Sequence, residues 1–382
     1  MDFELSNRQK QIRLAVREFA EGELMPIAKE CEIKEDFPRE IIKKAAELGF
    51  IGVFIKKEYG GLGLGSLEHA IIMEEFWRVD PGLGQVLGST VFGSEELQLF
   101  GSEEQKKKFL PRLVKGDWLM GFSITEPEAG SDTSSAVTRA ERVGDEYVVN
   151  GNKVMITNGS IANFLLSFCL TNPEANSRSK RHSILLVETD RPGYRADKIY
   201  GKMGIRASDT ANVYYNSVRV PKENLVGTEG NGFIQLMKFF DYSRAHVAAH
   251  GVGLAQGAME QAINYAKKRK QFGQTLASFQ ITQFKIAEMA TMIETSRGLV
   301  HKACWNLDRG NTDTQIVAMA KWWACQVAVK VVDEALQLHG GYGYLNDYDI
   351  ERFYRAAKVL EIYEGAKEIE KMIIGRHLLG KA

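Results

Sequence analysis

The stretch RAERVGDEYVVNGNKVMITNG, residues 139–159, marks the change of pattern that decides the fold. It contains two short runs typical of strands, joined by Asn150-Gly151, a dipeptide that strongly favours the tight turn of a β-hairpin. HSILLVETD (182–190) and ANVYYNSVRVP (211–221) add further β-rich runs bounded by turn residues. We therefore predict a compact β domain over residues 118–228.

Helical patterns flank this segment on both sides. Before it, Ser6 and Gln9 form a candidate capping box ahead of an amphipathic run, and Pro38 and Gly49 are placed to begin and end a further helix. After it, three long alanine-rich apolar runs (233–272, 281–310 and 315–341) predict a helix bundle. The predicted fold is α+β but mainly α, with domains at 1–117, 118–228 and 229–382.

Composition excludes several classes of function. The 382 residues carry 49 basic and 49 acidic side chains, so no overall field favours nucleic acid or an anionic membrane. The four cysteines are scattered without a CxxC pair, which argues against a disulfide framework or a zinc site and predicts no metal. The first ten residues lack the pattern of a signal or transit peptide, and no apolar run would span a bilayer. We expect a cytoplasmic protein without membrane insertion.

Single motifs mostly have structural interpretations when taken one at a time. GGLGLGS (60–66) does not fit the dinucleotide-binding register and is interpreted as a structural loop. His246 and His250 lie four apart without the acid of a zinc motif, which favours packing or surface roles. TEPEAGSD (125–132) lies where helix gives way to strand, a usual place for a ligand-binding loop. RKQFG (269–273) is consistent with a basic helix end, and LHGGYGY (338–344) with a helix stop.

Taken together and in order, the motifs resemble the acyl-CoA dehydrogenase family. The resemblance covers essentially the whole chain and rests on TEPEAGSD, MITNG, MGIRASDTANVYYNSVRVP, RKQFG, QLHGGYGY and IYEGAKEIEKMIIGR. It implies an N-terminal helical domain, a middle β-barrel-like domain and a C-terminal four-helix bundle. It also implies FAD as cofactor, a homotetramer built as a dimer of dimers, and electron-transferring flavoprotein as partner.

The chemistry of that family needs a base at the α-carbon and a hydride acceptor at the β-carbon of an acyl thioester. A carboxylate in a dry pocket suits the base, because burial disfavours its charged form and raises its pKa. Glu364 matches the base of the family's YEG motif. Some members place the base on the long helix instead, where this chain has Ser243. A purely structural acid is the alternative for Glu364, and Glu361, Glu368 and Glu370 are interpreted as ordinary helix acids.

The resemblance carries further roles over, position by position. The cofactor-binding positions are Phe122, Ile124, Thr125, Met155, Thr157, Arg269, Phe272, Gln337, Gly341, Ala366 and Glu368. Met155, Ala366 and Glu368 depart from the side chains that are usual there, which puts the strength of flavin binding and the redox potential in question. The substrate-binding positions are Ser89, Thr90, Ser131, Asp241, Ser243, Arg244, Tyr363 and Gly365.

The acyl pocket is expected to be lined by GLGQVLGSTVF (82–92), which contains no Arg or Lys to pair with a distal carboxylate. Gly82, Gly84 and Gly88 indicate either room for a branched or cyclic acyl group or close helix packing. The predicted reaction is oxidation of a short or medium acyl-CoA to the 2,3-enoyl-CoA in carboxylic acid degradation. An acyl-CoA oxidase, an enoyl-CoA reductase and a non-catalytic CoA-binding protein are the alternatives.

Overall fold

A computed structural model describes residues 4–380 and has the predicted helical, β, helical order. Residues 1–3 and 381–382, which begin the first predicted domain and end the third, lie outside the described part. The N-terminal helices are α1 (Asn7–Phe19), α2 (Met25–Lys34), α3 (Arg39–Glu47), α4 (Ser66–Val79), α5 (Pro81–Ser89), α6 (Ser94–Phe100) and α7 (Glu103–Val114). A π-helical turn, Ala20–Leu24, joins α1 to α2. The capping box of Ser6 and Gln9 is confirmed, with both reciprocal bonds present.

The middle domain is an eight-stranded sheet. Its strands are β1 (Met120–Ser123), β2 (Arg139–Val143), β3 (Glu146–Thr157), β4 (Phe164–Leu170), β5 (His182–Glu188), β6 (Tyr194–Lys198), β7 (Thr210–Pro221) and β8 (Leu225–Val226). Their order is β6-β7-β3-β2-β4-β5-β8, and β1 pairs in parallel with β4. Strands β4 and β5 are antiparallel, with Phe164 opposite Glu188. One face of the sheet contacts the main core and the other encloses a small apolar core of its own.

The predicted hairpin turn at Asn150-Gly151 is wrong. The turn lies six residues earlier, at Gly144-Asp145 between β2 and β3, and β3 runs straight through Asn150. A register shift against β7 occurs between Val149 and Gly151, where the Asn150 side chain accepts a hydrogen bond from the Ser217 N–H. Long-range strand pairing therefore overrides the local turn preference, and the dipeptide lies opposite a β-bulge in β7 instead.

The C-terminal helices are α8 (Gly232–Lys268), α9 (Gln280–Asp308), α10 (Thr314–His339), α11 (Ile350–Leu360) and α12 (Lys367–Leu379), with a small hairpin of β9 (Lys270–Gln271) and β10 (Gln274–Thr275). Helix α8 is buried along most of its length and contacts α4, α9 and α10. A side-chain carbon added at Gly253 would lie 2.3 Å from the Glu74 carbonyl oxygen, and one at Gly257 2.0 Å from that of Arg78. Glycine at these positions therefore permits α4 to pack directly on the α8 backbone.

Within residues 4–380, no helix is both long enough and apolar enough to cross a membrane. All four cysteines are buried and unpaired.

Candidate active site

Glu364 lies in the short connection between α11 and α12. Its backbone is left-handed (φ +53°), a conformation that costs a non-glycine residue roughly 1–2 kcal/mol. Gly365 follows with φ +99°, and a side-chain carbon there would lie 2.0 Å from Glu370 Oε1. The turn that presents Glu364 therefore requires glycine at the next position, for both its conformation and its contact.

Lys321 holds this turn in place, and the sequence analysis did not identify it. Its ammonium group, fully buried on α10, donates to the carbonyl oxygens of Leu360 (3.0 Å), Tyr363 (2.8 Å) and Gly365. These carbonyls include the C-terminal end of α11, where the helix dipole favours a cation. A lysine inside the otherwise apolar run IVAMAKWWAC was the available signal.

The Glu364 carboxylate is positioned by α8. Ser243 Oγ donates a hydrogen bond to Glu364 Oε2 (2.8 Å), and Arg244 Nε donates to the Glu364 carbonyl oxygen (3.2 Å). Burial raises the pKa of Glu364, while the Ser243 bond and the charges of Arg244 and Lys321 act in the opposite direction. The result is a half-buried carboxylate whose proton affinity exceeds that of an ordinary glutamate.

Glu364 faces a cavity of about 60 Å³ enclosed by α4, α5, α8 and the α11–α12 connection. Tyr363, Ser89, Gly88 and Thr157 also line the cavity. Thr90 does not, because it is fully buried and donates its hydroxyl to the Val86 carbonyl oxygen. The predicted substrate contact of Thr90 therefore has no support in the geometry.

The glycines of the 82–92 stretch have different roles. A side-chain carbon at Gly84 would lie 2.7 Å from the Trp77 ring, and one at Gly82 3.2 Å from Asp80 Oδ1, so both are close-packing positions. Gly88 lines the cavity and lies against Met73 and His250. Only Gly88 therefore enlarges the space available to an acyl group.

The packing role predicted for His246 and His250 agrees with their burial and ring contacts, and both side chains also line this cavity. His250 stacks on Trp77 at 4.5 Å between ring centroids, and its Nδ1 lies 3.2 Å from the Tyr363 hydroxyl. Burial lowers the pKa of His250 to about 3, which leaves the ring neutral. Helical spacing places the two rings on one face of α8 but does not reveal what that face contacts.

Two of the acids near Glu364 in sequence, Glu361 and Glu370, are not ordinary exposed helix acids. Glu370 is completely buried beneath Gly365, with Oε1 3.2 Å from Arg244 Nε, and burial raises its pKa to about 7. Glu361 is buried and pairs with Lys358 (2.6 Å) and Lys367 (3.3 Å). Of the three, Glu368 alone is exposed, in the first turn of α12 and two residues after Ala366 at the helix N-cap.

The positions expected beside the flavin lie on β1, β3 and the segment that follows β1. Phe122 and Ile124 are buried, Thr125 is half-buried, and Thr157 reaches the cavity of Glu364. Met155 has a left-handed backbone (φ +58°) and a 65% exposed side chain. These five residues therefore form a continuous region adjoining the cavity.

The loop 125–132 contains a buried acid, Glu126, whose structural role its sequence did not reveal. Glu126 is buried, accepts hydrogen bonds from the N–H groups of Val137 (2.7 Å) and Thr138 (2.8 Å), and pairs with the fully buried Lys153 (2.9 Å). Ser131 lies exposed in the same loop. Glu126 therefore holds the loop against Val137, Thr138 and Lys153, while the Ser131 side chain stays accessible.

The remaining predicted positions do not line the cavity of Glu364. Arg269 and Gly341 line a second cavity of about 420 Å³ at the end of α8, where the Arg269 guanidinium lies 5.4 Å from the Tyr342 ring centroid. Gln337 is exposed near the end of α10, and the Phe272 side chain is 94% exposed. Asp241 is buried on α8 one turn before Arg244, and burial raises its pKa. Within one chain, these residues therefore do not surround Glu364.

Three family models match consecutive parts of the chain. The acyl-CoA dehydrogenase N-terminal, middle and C-terminal domain models match residues 6–117, 121–218 and 230–379. The chain belongs to the acyl-CoA dehydrogenase family. A short-chain-specific acyl-CoA dehydrogenase of Clostridium acetobutylicum is 41% identical, with 98% of each chain covered. The acryloyl-CoA reductase (NADH) of Anaerotignum propionicum is 41% identical over 99% of this chain and 96% of the relative.

Among solved structures, a chain from a structure of the electron transferring flavoprotein of Acidaminococcus fermentans matches with a TM-score of 0.97, at 40% identity and with both chains fully covered.

As an acyl-CoA dehydrogenase, the protein is an FAD-dependent oxidoreductase. The residues beside the cavity fit a flavin. Within residues 4–380 the hydroxyls of Thr125 and Thr157 have no hydrogen-bond partner, and the exposed Met155 offers an apolar surface next to them. Unpaired hydroxyl groups bordering an apolar surface suit a flat heteroaromatic ring that has polar edges.

Proposed function

We propose that this acyl-CoA dehydrogenase oxidises a short acyl-CoA to the 2,3-enoyl-CoA, with Glu364 removing the α-proton. The proposal rests chiefly on one observation: a carboxylate of raised pKa, held by Ser243, at the wall of a small enclosed cavity. A raised pKa makes the carboxylate a stronger base, and the fixed rotamer keeps it aimed at the substrate. FAD, when bound, accepts the hydride that leaves the β-carbon.

The thioester oxygen becomes more negative as the proton leaves, so a donor must face it. The Glu364 N–H has no hydrogen-bond partner among residues 4–380 and is the donor that this chain offers. We assign Tyr363 and Ser89 to the acyl wall, and Ser131, Asp241 and Arg244 to the CoA arm. Gly365 permits the close approach.

We assign two groups of residues to cofactor binding. Phe122, Ile124, Thr125, Met155 and Thr157 would contact the flavin ring of their own subunit, with Ala366 and Glu368 near it. Arg269, Phe272, Gln337 and Gly341 would reach the FAD of a neighbouring subunit. Their separation from Glu364 within one chain, together with the exposure of Phe272, supports a homotetramer built as a dimer of dimers.

The electron acceptor and the direction of reaction belong to the same proposal. The match to a chain from an electron transferring flavoprotein structure supports that flavoprotein as the partner. The relative that is an acryloyl-CoA reductase favours enoyl-CoA reduction as the second candidate. An acyl-CoA oxidase is the third. A cytoplasmic location stays a prediction from the sequence.

The test is anaerobic reduction of the purified yellow protein by butyryl-CoA, followed as bleaching of the flavin absorbance. We expect Glu364→Gln to keep FAD and to bind butyryl-CoA but to lose bleaching by at least about 10³-fold, since the amide cannot accept the α-proton. Glu288→Gln, at an exposed acid on α9, is the control and should bleach normally. Near-normal bleaching by Glu364→Gln would refute the assignment of the base.

Reoxidation separates the alternatives for the electron acceptor. The dehydrogenase proposal expects reduced protein to react faster with electron-transferring flavoprotein than with air. Faster reaction with air would identify an oxidase. Oxidation of NADH coupled to reduction of an enoyl-CoA, without bleaching by any saturated acyl-CoA, would identify a reductase.

A further inference from the structure

The cavity that Glu364 faces also has buried polar side chains in its wall. His69 from α4, Gln85 from α5 and His246 from α8 line it, together with Glu95 from α6. Each of these side chains is more than nine-tenths buried. Saturated acyl groups offer nothing for such side chains to bind, so this lining needs a different explanation.

Three polar atoms of this lining have no hydrogen-bond partner within residues 4–380. They are His69 Nδ1, Gln85 Oε1 and His246 Nε2. Leaving a buried polar atom unpaired costs free energy, so native proteins pair nearly all of them with protein, water or ligand. An apolar acyl chain would leave all three atoms unpaired and would also exclude water from them.

The polarity of the missing partner follows from His246 and its neighbours. His246 Nδ1 lies 3.1 Å from Glu95 Oε1, and we infer that the N–H on Nδ1 donates to this carboxylate. In the neutral ring, Nε2 then has a free lone pair that can accept a hydrogen bond.

No arginine or lysine lines the cavity in the described residues, and the Glu95 and Glu364 carboxylates both do. A ligand anion would therefore meet like charges without a counter-ion. A neutral hydroxyl has one proton to donate and two lone pairs. It can therefore donate to Gln85 Oε1 or His246 Nε2 while it accepts from an N–H on His69 Nδ1, which pairs two of the three atoms at once.

Size and chemistry restrict where the hydroxyl can be. At about 60 Å³ the cavity admits only a few heavy atoms, since one water-sized group needs roughly 10–15 Å³. The hydride must leave the β-carbon, so the oxygen belongs at C4 or beyond. His69 and His246, with ring centroids 4.4 Å apart, lie together and can share one such oxygen.

We propose that the acyl pocket selects a short acyl-CoA carrying a hydroxyl group at C4 or the next carbon, recognised by His69, Gln85 and His246. This substrate class rests on the proposed function, because it places the hydroxyl in the same pocket that serves Glu364. The three side chains position the acyl group and take no part in proton or hydride transfer.

The experiment compares 4-hydroxybutyryl-CoA with pentanoyl-CoA, which matches it in heavy atoms, and with succinyl-CoA, which carries an anion instead. Dissociation constants are measured by calorimetry on FAD-loaded Glu364→Gln protein, which does not turn over, and bleaching rates on the wild type. We expect 4-hydroxybutyryl-CoA to bind roughly tenfold to a hundredfold more tightly than pentanoyl-CoA, with succinyl-CoA the weakest. Equal binding, or preference for either competitor, overturns the proposal.

Variants test which side chains produce the preference for the hydroxyl compound. His246→Leu and His69→Leu should each reduce the preference for the hydroxyl compound to about twofold or less, whereas His301→Leu, a histidine on α9 that pairs with Glu74, should leave it unchanged. Neither the binding comparison on Glu364→Gln protein nor the bleaching comparison on the wild type uses a leucine variant. A leucine variant that fails to fold therefore leaves the proposal open to refutation. Gln85→Leu provides a further, less buried substitution.

The two proposals fail separately. If butyryl-CoA bleaches the flavin but the hydroxyl preference is absent, the pocket assignment is wrong and the proposed reaction stands. If the hydroxyl preference is present but no saturated acyl-CoA bleaches the flavin, the reaction is wrong and the pocket assignment stands.

Discussion

Glu370→Gln is expected to stabilise the protein, and to do so only above mildly acidic pH. Glu370 is completely buried, and neither carboxyl oxygen has a hydrogen bond among the described residues. Arg244 approaches Oε1 to 3.2 Å without hydrogen-bond geometry, so the pair compensates poorly for burial. Burial consequently raises the pKa of Glu370 to about 7. A glutamine has nearly the same shape and no charge to bury.

The magnitude follows from linkage between protonation and folding. An unfolded glutamate loses its proton near pH ~4.3, whereas folded Glu370 keeps its proton to about pH 7. Between these values the folded state binds more protons, so its free energy of unfolding falls as the pH rises. At about 1.4 kcal/mol for each pKa unit, the penalty reaches roughly 4 kcal/mol above pH 7 and vanishes below pH ~4.

The assay is urea unfolding of wild type and Glu370→Gln at pH 5, 6, 7 and 8.5, at fixed protein and FAD concentrations because ligand and subunit binding also contribute. The difference between the two proteins should grow with pH and level off above pH 7. Glu288→Gln, on the exposed face of α9, should show no such trend. A difference that is constant over this range, or that falls with pH, would contradict the reasoning.

Three further substitutions test other contacts. Ser243→Ala removes a hydrogen bond that lowers the pKa of Glu364, so the acid limb of the pH profile of the bleaching rate should move to higher pH. The bleaching rate should fall about tenfold on the acid side and change little at high pH. Lys321→Met leaves three carbonyls without their donor and should lower the free energy of unfolding by roughly 3 kcal/mol, against less than about 0.5 for exposed Lys330→Met on the same helix. Phe272→Asp should shift the protein to smaller species in sedimentation velocity; an unchanged tetramer would remove Phe272 from the proposed interface.

The sequence predicted the order of elements because that order depends on periodicity. The capping box at Ser6 and the long apolar helices are local patterns, and both are confirmed. Asn150-Gly151 failed as a hairpin turn because its conformation is decided by pairing with β7, a strand some sixty residues away in sequence that a local pattern cannot reveal.

The candidate site was predictable to the extent that it depends on one motif. Glu364 and Ser243 were identified and lie in contact. The burial of Glu370 and the role of Lys321 were not predicted, since both depend on which helix packs against them. Helical spacing gives the face on which a side chain lies, whereas burial of a charge is set by tertiary contacts.

The contact between Ser243 and Glu364 has an evolutionary consequence. Their side chains, 121 residues apart in sequence, meet at 2.8 Å, so a carboxyl group carried by either backbone position would occupy nearly the same space. Exchanging the acid between the α11–α12 connection and α8 therefore requires two substitutions and no change of scaffold. The fold makes the location of its base exchangeable, so that descendants could inherit the same chemistry from a different residue.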